Sequence, residues 1–66
     1  MRIQINGDWQ ELPEALTVAE LLEERSLPPR RVAVELNRQI VPRTRYAETQ
    51  LHDNDAIEIV TLVGGG

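Results

Sequence analysis

The sequence predicts an α+β domain: a mixed sheet of four to five strands, one helix packed across it, and a flexible glycine-rich C-terminal tail. Three observations predict it. Apolar and polar residues alternate with period two near both ends and in the middle of the chain. One short segment between them carries a helical apolar stripe behind a capping signature. Turn-forming residues separate these segments. At 66 residues there is room for a single core. The expected organisation is therefore one domain over 1–66, with 61–66 as an extended tail.

Arg2-Ile3-Gln4-Ile5-Asn6 alternates as a half-buried strand does. Asn6-Gly7-Asp8 signals a tight turn, and Trp9 to Leu12 return beside the first strand as a hairpin. Pro13 to Leu16 close that strand and lead to a helix start. Thr17-Val18-Ala19-Glu20 fits a capping box, in which the Thr17 hydroxyl accepts from the Glu20 amide and the Glu20 carboxylate accepts from the Thr17 amide. Val18, Leu21 and Leu22 then form one apolar stripe, with Glu23, Glu24 and Arg25 toward solvent. Pro28-Pro29 require the helix to stop by Leu27.

Arg31 to Leu36 alternate again, with Val32, Val34 and Leu36 inward. Asn37-Arg38 turns the chain, and Gln39-Ile40-Val41 returns as a short strand ended by Pro42. Residues 43–50 read as irregular or a single helical turn, with Tyr46 and Leu51 anchoring them to the core. His52 to Asp55 form a turn, and Ala56 to Val60 the last strand. Strand, strand, helix, strand, short strand, loop, strand is the order of a β-grasp or ubiquitin-like sheet. There the first and last strands lie side by side and parallel at the centre. A small barrel with one helix is the alternative, but a capped helix between two hairpins favours the open sheet.

Composition narrows the function classes. The chain has no cysteine and one histidine, so neither a disulfide nor a structural zinc site supports it. Stability rests on the apolar residues, which make up 41% of the chain. The net charge is −4, with seven arginines and no lysine. An acidic balance argues against nucleic acid, whose phosphates require a basic face. No apolar run has membrane-spanning length and no signal peptide is visible, so a cytoplasmic location is expected.

No side-chain constellation looks catalytic. The only serine, Ser26, and the only histidine, His52, would have to form a nucleophile–base pair, and nothing in the pattern brings them together. Asp53-Asn54-Asp55 resembles half a calcium loop, but the glycine and distal glutamate that such a loop needs are missing. Its residues read as turn formers, and no metal site is expected. Arg38, Arg43 and Arg45 form either a solvated rim or a surface for a partner's carboxylates. Trp9 reads as a hairpin cover.

The C-terminal stretch is different. Gly64, Gly65 and Gly66 carry no Cβ, so their backbone fits a channel that any side chain would block. An ordinary frayed end has the same composition. Extended from Thr61, the tail would reach roughly 20 Å beyond the body. Gly66 ends in a carboxylate, a poor electrophile until adenylation turns one oxygen into part of a leaving group. A sulfur nucleophile can then leave a thiocarboxylate there, so a protein without cysteine can still carry sulfur. An enclosed partner site would protect that group from water.

The terminus Val63-Gly64-Gly65-Gly66 after Ile57-Glu58-Ile59-Val60 resembles that of the ThiS sulfur carrier family of thiamin biosynthesis. So does the block from Val32 to Arg43, in which Leu36-Asn37-Arg38-Gln39-Ile40-Val41-Pro42-Arg43 is the specific part. The Met1–Gly7 opening, the Thr17–Leu22 helix and the Asp53–Asp55 turn fall in matching places. The resemblance implies the β-grasp fold and a non-enzymatic co-substrate that binds no cofactor itself. It further implies a ThiF-like adenylyltransferase that activates Gly66 with ATP and magnesium, and a cysteine desulfurase or sulfurtransferase system that supplies sulfur. Thiazole synthase (ThiG) would then consume the thiocarboxylate. Gly65 and Gly66 carry over to the family's reacting pair; Val63 and Gly64 would contact the partner. The runner-up is the small subunit of molybdopterin synthase, which shares the tail and its chemistry. Other ubiquitin-like sulfur carriers, or a protein modifier that joins Gly66 to lysines, are further alternatives.

Overall fold

The computed structural model describes residues 1–62. The elements are β1 (Arg2–Ile5), β2 (Asp8–Glu11), α1 (Val18–Glu24), β3 (Val32–Leu36), β4 (Gln39–Val41) and β5 (Ala56–Thr61). Two 3-10 segments, Pro29–Arg31 and Arg43–Glu48, complete the list. The sheet order is β2-β1-β5-β3-β4. β1 and β5 run parallel, and the other neighbours are antiparallel. This is the β-grasp arrangement.

Both hairpins turn on left-handed residues. Asn6 (φ 51°) and Gly7 (φ 88°) join β1 to β2, and Asn37 (φ 51°) and Arg38 (φ 70°) join β3 to β4. Two consecutive positive φ angles match the right-handed twist of the flanking strands, which is why asparagine, tolerant of this region, leads each turn.

The capping box forms as the sequence requires. The Glu20 amide donates to Thr17 Oγ1 at 3.1 Å, and the Thr17 amide donates to Glu20 Oε1 at 2.9 Å. The helix ends at Glu24, four residues before the prolines. Ser26 takes a left-handed conformation (φ 58°). Its amide donates to the Glu23 carbonyl at 3.0 Å, and the Leu27 amide reaches the Leu22 carbonyl at 2.9 Å. That pair of bonds is a Schellman motif, so the chain stops the helix through its own carbonyls. The prolines instead open the 3-10 segment that enters β3.

Val18, Leu21 and Leu22 of α1 lie with Ile3, Ile5, Val34, Ile57 and Ile59 in one buried core. Tyr46 and Leu51 close it from the second 3-10 segment and the loop beyond. Burial raises the Tyr46 hydroxyl above its ordinary pKa, and the Arg43 charge partly offsets this. The amide of Val18 donates to Thr49 at 2.9 Å and that of Leu51 to Leu16 at 2.8 Å, which ties the helix entry to this segment. Each isoleucine or leucine buried here contributes about 1.5–3 kcal/mol. Within the described residues no buried side-chain polar atom lacks a partner. The helix therefore covers one face of the sheet and leaves the other to solvent. No helix among the described residues is long and apolar enough to cross a membrane.

Candidate functional site

β5 is the strand that leads to the C-terminal glycines, and both of its edges are held. Along β1, the Gln4 amide donates to the Asp55 carbonyl and the Asn6 amide to the Ile57 carbonyl, each at 2.9 Å. Backbone pairing on that edge then ends, because Asn6 turns the chain into the hairpin. Its side chain takes over. The Ile59 amide donates to Asn6 Oδ1 at 2.7 Å, and Asn6 Nδ2 donates to the Ile59 carbonyl at 3.1 Å. A carboxamide presents the same donor and acceptor as a peptide unit, so the ladder gains one more rung.

Asn37 does the same at the other end of β5. Its Oδ1 accepts from the Ala56 amide at 2.9 Å, and its Nδ2 donates to Asp55 Oδ1 at 3.0 Å. Its own amide donates to the Ala56 carbonyl at 2.7 Å. Neither clamp was readable as such in the sequence, where the local pattern places both asparagines at turns and assigns their side chains no partner.

The strand also runs further than its sequence pattern indicates. Thr61 pairs with Val32, and the Leu62 amide donates to the Arg31 carbonyl at 2.7 Å. The first two residues of the expected tail thus pair alongside β3 and the residue before it, because β3 begins early enough to accept them. The residues expected to react or to contact partners (Val63, Gly64, Gly65 and Gly66) lie outside the described residues.

Beside this strand, the uncovered face of the sheet carries a shallow groove bordered by Asn6, Ala33, Glu35, Ile40, Glu58 and Val60. Ile40 is 77% exposed and Val60 is 59% exposed. Ala33 pairs with Val60, and Glu35 with Glu58, so the two carboxylates stand directly opposite each other. Like charges at facing positions repel. Among the described residues neither glutamate has an ion-pair or hydrogen-bond partner in its side chain. A sequence signal for part of this face did exist. Ile40-Val41 and Ile59-Val60 each place two β-branched residues in succession, and a strand can bury only one of each pair.

The remaining candidates hold no assembled chemistry. His52 sits in the turn with its amide donating to Asp55 Oδ2 at 2.8 Å and its ring 3.9 Å from the same oxygen. No hydrogen bond joins it to Ser26 among the described residues. Asp53 accepts from the Arg2 amide at 2.8 Å, and Asn54 takes a positive φ of 70°. These residues build the turn before β5. Among the described residues no group of three histidine, cysteine or acidic side chains is placed to hold a metal ion. Of the three arginines considered together, Arg45 pairs with Glu48 at 3.2 Å and Arg43 lies beside Tyr46. The Arg2 guanidinium lies 4.0 Å from the centre of the Trp9 ring, which makes Trp9 a cover for the hairpin's outer face.

The model of the ThiS family matches residues 3–66, nearly the whole chain. The chain belongs to the ThiS family. It is 42% identical over 65 residues to the sulfur carrier protein ThiS of Bacillus subtilis, covering 97% of this chain and 98% of that one. It is also 42% identical over 66 residues to a thiazole synthase of Paramagnetospirillum magneticum, covering all of this chain but 20% of that one. The chain thus spans about one fifth of the length of such synthase relatives and nearly all of the ThiS carriers. Among solved structures, the thiamine biosynthesis protein ThiS of Geobacter metallireducens superposes with a TM-score of 0.86 at 33% identity, each chain covered completely. Membership of ThiS rather than a molybdopterin synthase subunit agrees with the Leu36–Arg43 block.

Proposed function

We propose that this chain is the sulfur carrier of thiamin biosynthesis and that the Gly66 carboxylate is its working group. The observation that carries this reading is the family match, which runs through residue 66 and so includes the glycine run. The fold supports it. The strand that leads to the glycines is held on the β1 side as far as Ile59 and on the β3 side as far as Leu62.

The chemistry follows from a carboxylate. A Gly66 oxygen attacks the α-phosphorus of ATP and releases pyrophosphate, leaving an acyl-adenylate. The terminal sulfur of a persulfide on a cysteine desulfurase or sulfurtransferase then displaces AMP to give an acyl disulfide, and a thiol reduces its S–S bond, forming a new disulfide and leaving the thiocarboxylate. Thiazole synthase takes that sulfur. ATP and magnesium belong to the ThiF-like activating partner. The chain itself is a co-substrate without a catalytic side chain of its own, and Gly65 allows the terminus to thread the partner's channel.

The test is a single alanine added after Gly66. ATP–pyrophosphate exchange with the activating enzyme should disappear, while the unfolding curve stays that of the parent. Undiminished exchange would contradict the reading.

A further inference from the structure

An activated Gly66 carbonyl is an acylating group, and amines compete with sulfur for it. The amine lone pair attacks the carbonyl carbon and forms an amide bond. The C–O bond to AMP or the C–S bond to a thiol breaks, the leaving group takes the electron pair, and the amine's proton passes to water. The chain has seven arginines but neither lysine nor cysteine. Its one amine is at Met1 and its one imidazole at His52. The structure sets both at the end of the sheet away from Leu62. His52 lies in the turn ahead of β5. Gln4 pairs with Ala56 in the parallel β1–β5 ladder. Leu62 is six positions beyond Ala56 and Met1 three before Gln4, which separates them by about 30 Å along the strands. The Met1 ammonium also donates to the Leu12 carbonyl at 2.8 Å.

The surroundings of Leu62 are basic instead. Arg30, Arg43 and Thr44 border one groove with it, and its amide donates to the Arg31 carbonyl at 2.7 Å. All three arginines are exposed. A guanidinium stays protonated at neutral pH and offers no lone pair. Lysine would bring the same charge together with an amine, and neighbouring cations would favour its deprotonated, nucleophilic form. The Thr44 hydroxyl is a weak nucleophile. Burial raises the Tyr46 phenol, which lies in the same groove.

We propose that Arg30, Arg31 and Arg43 decide which nucleophile takes the activated terminus: they place positive charge beside Leu62 while withholding the amine that would capture Gly66. The proposal deepens the carrier reading and rests on it. Chain length sets the reach. Four residues follow Leu62 and span at most roughly 14 Å. That limit includes the groove with Arg30 and Arg43 and excludes Met1. A lysine in the groove would meet the carbonyl at an effective concentration on the order of millimolar. The terminus would then close on its own chain before sulfur reached it. With arginine there, the activated carbonyl meets no amine of its own chain.

The test prepares parent, Arg30→Lys, Arg43→Lys and Arg2→Lys with Gly66 as the thioester of a small thiol, made by intein cleavage. Intact mass is followed at low protein concentration in mildly alkaline buffer. Parent and Arg2→Lys should only hydrolyse, since Arg2 lies beside Met1, beyond the reach of the terminus. Arg30→Lys and Arg43→Lys should lose the thioester several-fold faster. Their product should be lighter than the hydrolysed chain by one water, with a digest fragment that joins the substituted position to Gly66. All four chains should melt alike, because each change keeps the charge. Hydrolysis at the parent's rate in both Arg30→Lys and Arg43→Lys overturns the proposal. So does ring closure in the parent, or equal ring closure in Arg2→Lys. The carrier reading survives these results, because the thioester is made without the activating enzyme. ATP–pyrophosphate exchange is measured on the parent alongside, and its absence with a competent enzyme overturns both.

Discussion

The two faces of the sheet are made by the same strands yet serve opposite ends. On β3 and β5, Val34, Ile57 and Ile59 point into the core under α1, while Glu35, Glu58 and Val60 alternate with them on the open side. Every side chain of the inner face answers to packing. The outer face keeps exposed isoleucine and valine and, among the described residues, a pair of carboxylates without an ion-pair partner. In a chain this short, about 60% of the unfolded surface is buried, so stability leaves little to spare. The difference teaches that stability is confined to one side, which leaves the other free to be shaped by a partner.

That comparison breaks most visibly from the inside. Leu22→Asp places an unpaired charge at a fully buried site under the sheet. It should abolish cooperative unfolding at ordinary temperature, seen as loss of the thermal transition in circular dichroism. A retained sharp transition would mean that the core is more tolerant than its burial indicates. Asn6→Ala comes next, since it leaves the Ile59 amide and carbonyl without their 2.7 Å and 3.1 Å partners. It should cost about 1–3 kcal/mol in chemical denaturation. Asn6→Gly keeps the left-handed turn and loses only the side chain, so it separates the clamp from the backbone preference. Ile40→Ser lies at the weak end. On the open face it should shift stability by less than about 0.5 kcal/mol. A larger loss would show that the outer face holds the fold as well, and the contrast would fail.

Local signals were legible because their causes lie within a few residues. The capping box at Thr17 and Glu20, the Asn6-Gly7 turn and the period-two strands are of this kind, and together they give the topology. The helix stop was legible only in part. Pro28 set a limit, whereas Ser26 and two backbone bonds end the helix sooner. What the sequence could not disclose depends on β5 arriving between two strands distant in the chain. Asn6 reaches Ile59 across 53 positions, and the Leu62 amide finds Arg31 only after β3 has paired. The opposition of Glu35 and Glu58 likewise needs the β3–β5 register, which alternation alone leaves open. The glycines were singled out by residue type and by family resemblance. Their chemistry rests on those two grounds.

The measurement that bears most directly on the account uses the absence of cysteine. The protein is incubated with the activating enzyme, ATP and a sulfide source, treated with a thiol alkylator and weighed intact. One adduct is predicted, placed on Gly66 by fragmentation and absent from a chain lacking that residue. No adduct with a competent enzyme, or a linkage from Gly66 to an amine, would contradict a thiocarboxylate carrier.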